Sequence, residues 1–415
     1  MMKIVHLTTS VEGGAGRAVT RINKALKEKG IDSKILTWIN SQEESNTLEV
    51  SRKSHFMNKL CIMNNKRIVD KYTGHDFFHL DKYGINFMKT DELMNTDIIH
   101  IHWVNEGVWS HNFANQLKRL NKPIVWTMHD MWTFTGGCHY TGDCTKYYSG
   151  CESCPALKSN KKKDISYKGS KWKKSWVNGV DIRFVGCSNW ITDEFNKSEV
   201  GKISKKKALC IPNPVETDKF YCMDNKICSQ ILKTDTDKKI ILFGAMSAIK
   251  DKRKGFEYLV RAIKELSPQQ YALGIFGNSS DDYNIIKEKI DNFEIINFGI
   301  IKDDLHLSMI YNIADVFVAP SLQENLANTV MEALSCGTPT VAFNIGGMPD
   351  MIKHQQNGYL AKAFDAGDLA KGIESICECY IDSHVISNDT GKRFSTEQIA
   401  EKYIKVYKDL DRHGG

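Results

Sequence analysis

Two glutamates, Glu324 and Glu332, stand eight residues apart in SLQENLANTVMEALSCGTP (321–339), a stretch that otherwise reads as a buried helix entering a turn. One acid precedes the expected helix and the other lies inside it, so each faces a different place. They are not spaced as the paired carboxylates of a hydrolase. Upstream, AIKDKRKGFEYLV (248–260) puts Lys250, Lys252, Arg253 and Lys254 between a strand and its helix. Cations at the carboxyl end of a strand in an open α/β sheet suit a phosphate, and a solvated charge cluster is the alternative.

The amino-terminal half carries a second set. Gly13, Gly14 and Gly16 form a small-residue turn, but Val19 stands where a dinucleotide fingerprint needs its last glycine, so NAD binding is not expected. What remains is a turn that lets a ligand approach the backbone and the positive end of a helix, or a tight turn with no ligand. His129 ends the strand-like PIVWTMHD, at the edge where ligands gather in such sheets, and is either structural or in touch with substrate. Cys138, Cys144, Cys151 and Cys154 follow as C-x5-C-x6-C-x2-C, with His139 adjacent. A structural zinc on four thiolates, a disulfide or redox set, and unlinked thiols all fit that spacing. DTD (235–237) lies in a polar stretch and reads as solvated linker.

These residues need a frame of strands and helices to hold them. The chain opens as strand, Gly-rich turn and helix, and strand-like runs recur at 97–104, 123–130, 182–188 and 208–214. A polar segment, 222–239, reads as linker or loop. A second α/β series follows: strands at 239–245, 271–277, 294–299, 315–320 and 339–344, and helices at 255–266, 283–290 and 303–312. Alternation of this kind predicts an α/β protein with two Rossmann-like, doubly wound parallel sheets. The expected domains are 1–213 and 214–394, with an amphipathic terminal helix (395–415) returning to the first domain.

At 415 residues the chain is long enough for two cores, and no apolar run approaches a membrane span. The opening MMKIVHLTTS lacks the pattern of a signal peptide, which points to the cytoplasm. Twelve cysteines without an export signal argue against a disulfide scaffold. Net charge is +6, with eight lysines against one aspartate in 157–176. That stretch is either a solvated loop or, across 158–174, a contact for an anionic partner such as a lipid surface. Because the excess sits in one segment rather than along a groove, no nucleic-acid partner is expected.

Lys254-Gly255, Glu324-x7-Glu332, CGTPTVAFNIGGMPDMI, NGYL (357–360) and the IPNP before the second half together resemble the retaining glycosyltransferases of family 4, over about residues 208–362. HDMWTFTGGCHYTGDC with the following GCESCP resembles the subgroup found with colanic acid and exopolysaccharide synthesis. The resemblance implies a GT-B fold, two Rossmann-like domains facing a cleft. It also implies transfer of a sugar from a nucleotide-diphosphate-sugar to a growing, lipid-linked cell-surface glycan at the inner membrane face. Glu332 would hold the ribose hydroxyls and Glu324 would lie near the transferred sugar. The amides around Asn325, Leu326 and Asn328 would hold the diphosphate without a metal, and Lys254, with Arg253 beside it, would clamp it. Gly13 and Gly14 would approach diphosphate and acceptor, and His129 the transferred sugar. No cofactor is required in the family, and no catalytic base is agreed. The family often has an arginine where Ala245 stands, with Arg253 or Lys250 as substitutes, and a glutamate where Asp350 stands. A GT-B sugar-nucleotide epimerase, a non-catalytic partner subunit and a DNA-modifying glucosyltransferase are the rivals.

Overall fold

The computed structural model describes residues 1–39, 47–49, 52–74, 77–84, 90–234, 236–244, 251–277, 279–290 and 292–411. Ala245, Lys250 and Asp235 therefore lie outside the described residues. The chain forms two compact units, Met1–Asn213 with Ile399–Gly415, and Pro214–Gln398.

The first unit is built on seven parallel strands in the order β3-β2-β1-β4-β5-β6-β7. They are β1 (Lys3–Ser10), β2 (Asp32–Ile39), β3 (Thr47–Glu49), β4 (Ile98–Ile101), β5 (Ile124–Met128), β6 (Ile182–Gly186) and β7 (Leu209–Cys210). The second unit has six parallel strands in the order β10-β9-β8-β11-β12-β13. These are β8 (Lys239–Gly244), β9 (Tyr271–Phe276), β10 (Glu294–Gly299), β11 (Val316–Ala319), β12 (Thr340–Phe343) and β13 (Gly358–Ala361). In each sheet the order reverses once, beside β1 and β4 in the first and β8 and β11 in the second. At such a reversal the helices leave to opposite faces and open a crevice at the strands' carboxyl ends, where ligands bind.

Six of the helices bear on the sites: α1 (Gly13–Glu28), α2 (Arg52–Val69), α3 (Ile165–Val177), α4 (Asn225–Leu232), α5 (Asn328–Ser335) and α6 (Thr396–Asp411). Ile22, Ala25 and Leu26 of α1 meet Ile399, Tyr403, Val406 and Tyr407 of α6 in one buried cluster over the first sheet. A cage of Trp109, Trp126, Trp132 and Trp176 fills the opposite core.

Two segments differ from the sequence reading. The polar 222–239 segment is not all loop: Asp224 caps α4 by accepting from the Ile227 amide, and Cys228 is buried beneath it. The lysine-rich 158–174 stretch is a loop only as far as Asp164 and is helical from Ile165. Asp164 caps α3 through the Ser166 and Tyr167 amides, and Trp176 and Val177 sit in the core. Lys173 is 7% exposed, with its ammonium 3.6 Å from the Trp132 ring centre and bonded to the Trp132 and Thr135 carbonyls. Lys174 pairs with Glu199 at 2.7 Å. A lysine count missed this because a long aliphatic stem can be buried when its head finds carbonyls and a ring face.

Candidate active site

In the second unit the site grows from two loops that leave adjacent strands. After β8 the chain passes through a single 3-10 turn, Lys252–Lys254, capped by Asp251 and closed by Gly255 in the left-handed region (φ +70°). A methyl group at Gly255 would stand 1.8 Å from the Pro320 carbonyl oxygen, so only glycine lets this turn press against the end of β11. Leu322 N–H donates to the Arg253 carbonyl at 2.7 Å, tying the two loops together. That seam brings Lys254 Nζ to 2.9 Å from Glu324 Oε2. Burial pushes the Glu324 carboxyl up, but Lys254, then Arg253 and the Asn325 amide, outweigh it and hold it below the usual range. Glu324 is thus a buried charged acceptor, 8% exposed, with the Asn325 N–H on its Oε1 at 3.2 Å. Arg253 points elsewhere, bonded to Asp251 at 2.5 Å.

Helix α5 begins at Asn328, just after Asn325 and Leu326, which are both buried. Glu332 lies one turn further in, on the same side as Asn328, and is 1% exposed. Tyr311 donates to its Oε2 at 3.4 Å. The Glu324 carbonyl accepts from the Gly347 amide at 3.1 Å, and a methyl at Gly346 (φ +51°) would stand 2.1 Å from it, so the IGGM turn belongs to this site. Asp350 follows in a short helical turn, where its carbonyl receives Arg393.

In the first unit the glycines are not a free turn, because α1 starts at Gly13 itself. A methyl at Gly16 would meet the Val11 carbonyl carbon at 2.3 Å, whereas one at Gly13 (φ +71°) would meet nothing within 4 Å. Gly16 is needed for packing, and the space over Gly13 is open to an approaching group.

His129 sits in a buried row of imidazoles across the strand ends. His129 Nε2 is 3.1 Å from His102 Nδ1, and His102 Nε2 is 2.9 Å from His6 Nδ1. His6 Nε2 is 3.1 Å from Ser33 Oγ, which donates to Asn23 Oδ1 at 2.7 Å. Because that last oxygen only accepts, the protons run in one direction, and each neutral ring donates through Nε2. His129 Nδ1 is left as an acceptor, 3.6 Å from Cys187 Sγ. Desolvation lowers all three rings, His6 to about 3 and His129 to about 4. Both ring nitrogens of His129 therefore face protein groups inside the unit. His6, His100 and His102 are also the grouping of metal-type ligands whose atoms lie within 4.8 Å of one another among the described residues. His100 spends its two nitrogens on Tyr407 and Thr127, both at 2.7 Å, so every nitrogen of the trio has a hydrogen-bond partner, which marks a polar network rather than a metal centre. Sequence reasoning singled out His129 but missed the row, whose traces are the histidines of KIVHL, HIHW and TMHD.

Cys138, Cys144, Cys151 and Cys154 line one small cavity with Lys146, Tyr147 and Ser166, and all four thiols are unbridged. Gly136 N–H points at Cys151 Sγ at 3.1 Å. The four sulfurs are not among the ligand sets that close to within 4.8 Å.

Two doubly wound parallel sheets with a charged seam beside the second reversal fit the GT-B architecture, and comparison with known proteins makes the chain a glycosyltransferase. The glycosyltransferase family 4 profile matches residues 12–219, half the chain, and the group 1 glycosyl transferase profile matches 224–393. The chain belongs to glycosyltransferase family 4. It is 22% identical to an uncharacterized 41.2 kDa protein of the cps region of Klebsiella pneumoniae, over 98% of this chain and 99% of that one. It is also 22% identical to a protein named as the colanic acid biosynthesis glycosyl transferase WcaC of Escherichia coli, over 77% and 76%. Anabaena HepE, solved with UDP-glucose, superposes with a TM-score of 0.66 at 13% identity, covering 99% of this chain and all of that one. No helix among the described residues is long and apolar enough to cross a membrane.

Proposed function

We propose that this glycosyltransferase takes a sugar from a nucleoside-diphosphate donor, with retention at the anomeric carbon, and adds it to a growing cell-surface glycan on a lipid carrier. The observation that carries the donor half is the Lys254–Glu324 pair at the end of β11, immediately before the first amides of α5. A leaving diphosphate gains negative charge as the glycosidic bond breaks. A lysine and a helix start supply positive potential there, aimed at charge that develops only in the transition state.

Glu324 keeps Lys254 in place and offers a carboxylate oxygen to a sugar hydroxyl. Glu332, held by Tyr311, can accept from two vicinal ribose hydroxyls, which suits a nucleotide better than a free sugar phosphate. The open space above Gly13 suits a diphosphate or acceptor group. Likeness to HepE, itself solved with UDP-glucose, supports a nucleotide-sugar, and likeness to the cps-region protein and WcaC supports a polysaccharide product. Contact of the remaining exposed lysines, 158, 161–163, 168 and 171, with anionic lipid belongs to the same reading.

The test is a thermal-shift panel of nucleotide sugars. A donor at about 100 times its Kd adds about 2.7 kcal/mol of stability, and the stabilising member identifies base and sugar together. No shift with any nucleoside diphosphate or its sugars would sink the reading. Proton NMR of the first-formed product then reports retention or inversion.

A further inference from the structure

The first unit holds a second set of functional groups that the donor chemistry does not use. A cavity of about 450 Å³ opens between α2 and the segment 77–81, lined by Val69, Phe77 and Phe78 together with Asp70, His79 and Glu106. His79 is half-buried in its wall. Behind it runs a line of short hydrogen bonds. His79 Nδ1 is 2.6 Å from His139 Nε2, and His139 Nδ1 is 2.6 Å from Asp130 Oδ2. Asp130 is fixed in turn by the Trp103 indole N–H at 3.0 Å and the Trp132 amide at 2.8 Å.

The backbone builds this line. Residues 77–79 and 137–139 pair as an antiparallel bridge, with His79 N–H on the Gly137 carbonyl at 2.9 Å and His139 N–H on the Phe77 carbonyl at 3.0 Å. Gly137 (φ +152°) is required there, because a methyl would stand 2.4 Å from the Phe78 ring.

A carboxylate can only accept, so His139 donates to Asp130 through Nδ1. Where His139 Nε2 is the acceptor of the second bond, His79 donates from Nδ1, which puts the lone pair of His79 on Nε2. That nitrogen has no hydrogen bond to the protein among the described residues. The cavity thus offers the lone pair of an oriented imidazole and the carboxylates of Asp70 and Glu106 as acceptors, with the Lys66 ammonium as a donor, against an apolar wall with an exposed phenyl, Phe77. Asn65, also on the wall, is spent on the Tyr83 backbone at 2.7 and 3.0 Å. Several acceptors and one donor opposite an apolar face suit a ligand with several hydroxyls on an apolar ring, which is a saccharide.

We propose that this cavity binds the saccharide acceptor and that His79, oriented by His139 and Asp130, receives the hydrogen bond of its hydroxyl. This rests on the glycosyltransferase reading above. The line also gives the hydroxyl proton a place to go. As it arrives on His79 Nε2, the Nδ1 proton passes to His139 Nε2, and the positive charge comes to rest beside the Asp130 carboxylate.

The test separates acceptor from donor. Nitrogen-15 NMR of the free full-length protein is expected to show His79 protonated at Nδ1 and bare at Nε2; the opposite tautomer overturns the proposed orientation. With the donor found by thermal shift and a panel of methyl glycosides as acceptor probes, His79→Gln is expected to lower kcat/KM for the acceptor about 100-fold, the scale of one acid–base interaction. Donor affinity should stay within twofold. Asp70→Asn, on an exposed helix end with little risk to folding, is expected to raise the acceptor KM several-fold. Acceptor kinetics within twofold of wild type in both variants overturn the proposal. If wild type turns over no nucleotide sugar at all, the donor reading falls instead, and saturation-transfer NMR with the same glycosides still decides the cavity. A transfer signal in wild type that disappears in His79→Gln supports the proposal, and no signal in wild type overturns it.

Discussion

The polar groups of the second unit sit on two loops, at the ends of β8 and β11, with Lys254 reaching Glu324 across 70 positions. Those of the first unit come from all along the chain: His100 bonds Tyr407 across 307 positions, and Thr127 bonds Tyr403 across 276. The two units share a sheet type and the same crevice-forming reversal of strand order, yet one site joins two loops beside a single reversal and the other is a network that reaches to the end of the chain. Unit two keeps charge near solvent, with Lys254 31% exposed, where it can meet a ligand. Unit one buries neutral imidazoles, and most of them serve to orient other side chains. A charged clamp must be reachable, whereas an orienting network must be dry to be stiff.

The largest expected effect tests whether unit two alone carries the clamp. Lys254→Ala should lower turnover at saturating donor by about 100-fold or more, the scale of removing one transition-state interaction, measured on the folded fraction because the variant also loses the stability of the Glu324 pair. Unchanged turnover would remove Lys254 from the chemistry. Gly255→Ala strikes the geometry instead. Left-handed φ and the 1.8 Å approach to Pro320 should cost about 1–3 kcal/mol or displace the loop, seen as loss of both stability and activity. Glu332→Gln should weaken donor binding about tenfold with kcat less affected; equal affinity by calorimetry would end the ribose assignment.

In the first unit the matching change is Tyr407→Phe, which strips His100 Nδ1 of its partner. Urea melts should show a loss of about 1–3 kcal/mol, the cost of an orphaned buried group, with donor affinity unchanged. A neutral result would mean that the network is decorative. A subtler contrast lies in pH. Glu324 is held below its ordinary range, so its pairing stabilises the fold above about pH 4.5 and that contribution is lost as pH falls through the lowered value. In Lys254→Ala the burial of Glu324 is no longer offset and its pKa rises. The stability gap between variant and wild type should then be widest near neutrality and close as pH falls through the lowered wild-type value. A gap independent of pH would mean that the carboxylate does not feel the lysine. Last, the four thiols of 138–154 bear on the fold of the first unit rather than on turnover. If they hold a structural zinc, as their spacing suggests, a mercurial should release about one metal per chain, and Cys144→Ser should abolish that release. Four freely alkylated thiols and no metal would leave them as packing.

The amino-acid sequence by itself determined the parallel α/β architecture, because β-rich runs alternating with amphipathic helices leave few other ways to bury both faces of each sheet. It also named Lys254-Gly255, Glu324 and Glu332, which the fold places after two strands adjacent in the sheet and one turn into the following helix. Local chemistry hid some elements: α4 looked like linker until Asp224 was seen to cap it, and α3 looked like a lysine loop until Trp176 and Lys173 proved buried. Tertiary structure alone decided the rest. Nothing near His79 in the sequence marks it as the end of a line from Asp130, because an antiparallel bridge across 60 residues brings the rings together. Nor could spacing show that His129 spends its nitrogens on His102 and Cys187. Periodicity reports which face a residue turns to the core, while a hydrogen bond between distant strands depends on register and rotamer, which only the assembled sheet fixes.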